Sequence, residues 1–128
     1  MIMENLILIV ESRLIERGRL AVLLENKGYN VRFASDAQAA LRMLLYINPA
    51  LIIIGVIMTG LDSYTFTKIL KNDDDTSHLK IMALLDKEAE EENERMINSG
   101  VNGFLNLGTN KKEFIEQIEN NLKSIQRN

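Results

Sequence analysis

The residue types that do chemistry are thinly spread along this chain. Of its 128 residues one is a histidine, His78, and none is a cysteine. Thiolate zinc sites, cysteine nucleophiles and disulfide frameworks are therefore excluded, and a multi-histidine metal cluster with them. What is left is carboxylate and hydroxyl chemistry. Glu11 and Ser12 follow the apolar run Asn5–Val10, Asp62 lies in a Gly/Thr loop, and Asp73, Asp74 and Asp75 are consecutive. Such carboxylates bind divalent cations through oxygen, or accept a phosphoryl group beside one. The aspartate run lacks the spacing and the terminal glutamate of an EF-hand and reads as a solvated loop. Ser12 has no base near it and reads as a helix N-cap, and Glu11 as an acid that the dipole favours at a helix start. His78 reads as a surface or edge residue. Neither GxxxxGK[ST] nor GxGxxG occurs, so a phosphate-cradling loop is missing too.

These groups depend on the elements around them. Asn5–Val10 (NLILIV) and Ala50–Ile54 (ALIII) are continuous apolar runs, the pattern of strands buried on both faces. Asn30–Ala34, Leu79–Leu85 and Phe104–Leu107 supply three more strands. Helical patterns alternate with them. The first opens at Ser12, carries Leu14, Ile15, Leu20, Leu23 and Leu24, and stops at Asn26–Gly28. The second opens on the capping-box pattern Ser35–Gln38 and turns Ala40, Leu41, Leu44 and Leu45 inward. The third runs from about Ser63 to Lys71, and the fourth from a cap at Asp86 to Ser99. The last starts at Thr109 or Asn110 and places Phe114, Ile115, Ile118, Leu122 and Ile125 on one stripe.

Five βα units predict an α/β fold, a doubly wound five-stranded parallel sheet with five helices, because parallel neighbours need right-handed crossovers. The length suits one core, so residues 1–128 read as a single domain. Sites in such sheets lie at the carboxyl ends of the strands, here Glu11/Ser12, Ala34/Ser35, Gly55, Leu85 and Leu107. Only Glu11 among them is acidic. The net charge of −3 argues against direct nucleic-acid binding. No apolar run approaches the ~20 residues that cross a bilayer, and the N-terminus lacks the features of a signal peptide. The expectation is a soluble cytoplasmic protein with no membrane contact.

At this point a resemblance enters. The stretches LILIV-Glu11-Ser12, Pro49-ALIII-Gly55, Met58-Thr59-Gly60-Leu61-Asp62-Ser63 and Gly100-VNG-Phe104-Leu105 resemble the receiver domain of bacterial response regulators, over roughly residues 5–125. The resemblance implies flavodoxin-like topology with strand order 2-1-3-4-5. It also implies a site. An aspartate ending the third strand accepts a phosphoryl group, and an acidic pair after the first strand helps bind magnesium. A Thr or Ser after the fourth strand and a Lys after the fifth stabilise the phosphoryl group. By position these fall on Gly55, on Glu11 with Ser12, on Leu85 (Leu84 if the strand slips by one) and on Leu107. Asp62 matches a non-catalytic aspartate of the family.

Four of those five positions have lost the family's chemistry. The resemblance therefore implies a degenerate pseudo-receiver that works without phosphorylation, with no catalytic residue, metal or cofactor. In it, Leu85 and Leu107 are expected to plug the emptied pocket. In receivers the fourth helix, fifth strand and fifth helix form the usual surface for dimers and output partners. Here that surface carries Glu90, Glu91 and Glu94, then Phe104 at the family's aromatic switch position, then Lys111 and Lys112. Segment Asp86–Gly100 holds six acids and two bases, a net −4. Acidic and basic charge side by side suits a protein partner or self-association. Two other readings stand beside this one: a ligand-sensing module using the emptied pocket near Gly55, and a conventional phosphoaccepting receiver that uses another acid.

Overall fold

The apolar runs form the centre of the molecule. The structure is a computed structural model that describes residues 3–106 and 108–126. In chain order it contains β1 (Met3–Val10), α1 (Leu14–Glu25), β2 (Asn30–Ala34), α2 (Ala37–Met43) and β3 (Pro49–Gly55). Then follow α3 (Ser63–Lys71), β4 (Ile81–Leu85), α4 (Glu90–Ile97), β5 (Gly103–Asn106) and α5 (Lys111–Gln126). All strand pairs are parallel, in the order β2-β1-β3-β4-β5. Every residue of β3 is buried, as its unbroken apolar run requires of a central strand.

Alternation along the strands sorts the core into two layers. Leu8, Val10, Ile52, Ile54 and Ala83 face Ala40, Phe66, Leu70 and Met96, so α2, α3 and α4 cover one side of the sheet. Ile7, Ile9, Ile53 and Leu84 face Leu20, Leu24, Phe114, Ile118 and Leu122, so α1 and α5 cover the other. The expected α5 stripe is buried through Leu122; the side chain of Ile125 lies outside the described residues.

Several boundaries and faces differ from expectation, each for a local reason. The N-cap of α1 is Arg13, with no side-chain cap, so Ser12 is not the cap. The Arg13 amide is instead taken by the Glu11 carboxylate, which delays the helix start. Asp36, not Ser35, caps α2 by accepting from the Ala39 amide. The regular turn of α2 ends at Met43, which swings Leu45 out to 77% exposure. Leu14 and Ile15 also face outward. Leu79 is buried but precedes β4, which begins at Ile81. Asp86 does not cap α4: its carboxylate turns back to the Glu88 amide, and the helix begins four residues later. Asp62 caps α3 through the Thr65 amide, and Asn110 accepts from the Glu113 amide at the start of α5.

Candidate functional site

The carboxyl ends of β1, β3 and β4 bring together Glu11, Gly55 and the loop that begins at Asp86. Glu11 is fully buried, which a carboxylate tolerates only with a cation and hydrogen bonds beside it. Arg13 supplies both. Its Nη2 donates to Glu11 Oε1 at 2.8 Å, while its Nε and its backbone amide donate to Oε2 at 3.3 and 3.0 Å. The other guanidinium nitrogen, Nη1, donates to Asp86 Oδ2 at 2.7 Å. One guanidinium thus bridges two carboxylates on different strand ends.

The electrostatics follow the geometry. The hydrogen bond to Glu11 outweighs the burial of Arg13 and, with Asp86 adding to it, holds the guanidinium protonated beyond its ordinary range. The Asp86 carboxyl lies below its ordinary value, first because the Glu88 amide donates to it and then because Arg13 does. Asp86 is also tied into α4. Asn93 Nδ2 donates to the Asp86 carbonyl at 2.7 Å, and Asn93 Oδ1 accepts from its amide. A continuous polar chain therefore runs from the end of β1, through Arg13 and Asp86, into α4.

Gly55 faces the same cluster. A Cβ built there would stand 2.6 Å from Glu11 Oε1 and 3.0 Å from Glu11 Cδ, a separation that packed atoms do not adopt. The space beside the residue aligned with the family's phosphoacceptor is taken by Glu11. This corrects the expectation of a leucine plug as far as Leu85 is concerned. Leu85 is only half-buried and packs toward α3 and α4, Leu84 points to the opposite layer, and Leu107 lies outside the described residues. It also corrects the reading of Glu11 as a simple helix-start acid, because its partner is Arg13. The Gly55 carbonyl accepts from the buried Ser63 hydroxyl, which fixes the following loop.

The donor set does not fit the magnesium ion that the receiver fold implies. Magnesium wants several oxygens in octahedral array, whereas Glu11 and Asp86 already share a guanidinium. Among the described residues no group of three His, Cys, Asp or Glu side chains is placed to hold a metal.

The remaining candidates are scattered. Asp62 is engaged in capping α3, with Thr65 Oγ1 also donating to it, and His78 is exposed with a 3.3 Å contact to Asn48. Asp73, Asp74 and Asp75 lie in an exposed turn. Glu90, Glu91 and Glu94 are exposed on α4, and Phe104 is half-buried against the layer that contains Met96. Lys111 and Lys112 are exposed, and Lys111 borders a groove with Gly18, Arg19 and Val22 of α1. Among the described residues neither lysine pairs with an α4 acid. Arg13 and the bridging role of Asp86 were not apparent from sequence. The usable signal was a buried-looking acid with an arginine two residues on, a pair that can close on itself.

A flavodoxin-like parallel sheet with its polar cluster at the carboxyl strand ends defines a class of α/β signalling and nucleotide-binding domains. Within it, the response regulator receiver domain matches residues 7–119, and the chain belongs to that family. Solved structures agree on the fold. The receiver domain of a signal transduction histidine kinase from Syntrophus aciditrophicus superposes with a TM-score of 0.88 at 24% identity, covering 97% of this chain and 94% of that one. The receiver domain of a sensor histidine kinase from Pseudomonas aeruginosa, described with magnesium coordinated in its active-site cleft, gives 0.85 at 20% identity over 93% and 98%. A chemotaxis response regulator of Vibrio cholerae gives 0.80 at 20% identity over 91% and 98%. No curated protein matches the sequence. Receiver domains are in general signalling modules rather than enzymes. Among the described residues no helix is long and apolar enough to cross a membrane.

Proposed function

We propose that this chain is a pseudo-receiver, a phosphorylation-independent protein-interaction module of two-component signalling with no catalytic activity and no cofactor. One observation carries the reading: the Glu11–Arg13–Asp86 bridge closes over Gly55, where the family places its acceptor aspartate. An acceptor carboxylate there would need a cation, and the bridge offers one that is already neutralised on both sides. The ligand-sensing alternative needs a cavity at Gly55, and Glu11 fills that space. Asp62, the acid nearest in the loop, is committed to its helix cap, which counts against a conventional receiver using another acid.

Partner binding is assigned to α4, β5 and α5, where Glu90, Glu91 and Glu94 present an acidic helix to a protein partner with basic groups. Asn93 and Asp86 join that helix to the bridge. The test is incubation with acetyl phosphate and magnesium, read by intact mass and by the amide NMR spectrum. Both should stay unchanged. A stable phosphoryl adduct, or magnesium-dependent shifts centred on Glu11 and Gly55, would overturn the reading.

A further inference from the structure

The end of α2 carries apolar surface that the domain does not use. Leu45 is 77% exposed and Tyr46 87%, and the neighbouring Ile69 of α3 is 42% exposed. They line two open grooves that share Leu44 and Leu45. One, of about 370 Å³, lies between α2 and α3 and is walled by Leu41, Leu44 and Ile69. The other, of about 340 Å³, lies between the turn after α2 and the loop after α3, beside Tyr46, Ile47 and Leu79. Charge borders the same patch. Arg42 and Asp73 edge the first groove and Asp75 the second. Among the described residues neither Arg42 nor any of Asp73, Asp74 and Asp75 has a salt-bridge partner within the chain.

We propose that this face binds a second copy of the chain in a two-fold homodimer. An isologous interface places one patch against itself, so the patch must be self-complementary in shape and in charge. This one is. Exposed apolar side chains border open grooves, and Arg42 shares the patch with Asp73 and Asp75, none of them in an ion pair among the described residues. Across a two-fold axis, Leu45 and Tyr46 of each copy enter the other's grooves, and Arg42 of each meets Asp73 of the other. Neither groove is lined by a residue of α4, β5 or α5, so the dimer leaves the face assigned to a partner open. The proposal does not rest on the state of the Gly55 site.

Sedimentation velocity of the full chain, from micromolar to submillimolar concentration, tests it. The wild type should dimerise, with or without acetyl phosphate. Tyr46→Glu and Leu45→Glu alter exposed side chains and should each weaken association at least about tenfold, as loss of a central apolar anchor does. Circular dichroism checks that each stays folded, and either variant alone suffices. Arg42→Asp should also weaken the dimer, and adding Asp73→Arg should restore it. A monomer throughout the range would overturn the proposal. So would a dimer that survives both glutamate substitutions, one disrupted by reversing Glu90 and Glu91, or a charge swap that fails to rescue. A stable phosphoryl adduct at any acid of the domain would overturn the pseudo-receiver reading and leave this result untouched.

Discussion

Replacing Arg13 by alanine tests the bridge most directly. In the native protein the Glu11 carboxylate is fully buried and accepts three hydrogen bonds, all from Arg13. Alanine keeps the backbone amide and removes the two guanidinium donors together with the one cation in contact with Glu11 among the described residues. Removing one partner of a buried ion pair costs about 3–5 kcal/mol, because the other charge is left uncompensated. Arg13 is itself 31% exposed, so water already screens part of the pair and the lower end applies, roughly 3 kcal/mol. For a domain of this size that lowers the thermal midpoint by about 10 °C. The assay is urea and thermal unfolding of wild type, Arg13→Ala, Glu11→Gln and the double variant. Glu11→Gln removes the buried charge, so in the Arg13→Ala background it should recover more than about 1 kcal/mol, the signature of a coupled pair. The reasoning fails if Arg13→Ala lies within about 1 kcal/mol of wild type. It fails equally if the double variant is no more stable than Arg13→Ala.

Other consequences follow from the same site. Gly55→Ala should destabilise by roughly 1–3 kcal/mol in chemical denaturation, since its Cβ meets the Glu11 carboxylate and overpacks the cluster. Gly55→Asp should remain unphosphorylated by acetyl phosphate on intact-mass analysis, because Glu11 and Arg13 still occupy the space. Acid unfolding carries a signature of Asp86 and Asp62, whose folded carboxyls lie below their ordinary value of 3.8. A depressed acid stabilises the fold above its unfolded value and loses that contribution as pH falls through the folded one. Stability should therefore be flat above about pH 5 and decline below about pH 4, and Asp86→Asn should flatten part of that acid limb in pH-dependent urea titrations. Asp62→Ala should cost about 1 kcal/mol at neutral pH through loss of the α3 cap.

The fold was legible where burial on both faces leaves one solution. Ala50–Ile54 admits little but a central strand, and β3 is buried throughout. The last helix was legible because Phe114, Ile115, Ile118 and Leu122 keep a helical period over several turns. Caps were less so, since Ser35 and Asp36 can both accept an amide and the choice depends on backbone angles that the sequence does not display. Leu45 fits a helical stripe, but the helix ends two residues before it, so the periodic argument no longer applied. At the site, the absence of an acceptor at Gly55 was readable residue by residue. What fills the gap was not, because Glu11 and Arg13 meet by folding a long side chain back across a helix start. Asp86 joins them from 73 residues away in the chain.

A metal ion held by a signalling site is a reagent shared with the whole solution, and its occupancy tracks supply, competing ligands and chelators. The guanidinium of Arg13 is attached two residues from the carboxylate it serves, so its local concentration is set by the chain and cannot be diluted. Such a centre has no occupancy to lose. On the pseudo-receiver reading proposed above, EDTA should leave the fold and the α4 surface as they were, which an amide NMR spectrum recorded with and without the chelator checks. A pseudo-receiver built this way would be regulated through how much of it is made, where it is placed and what binds it.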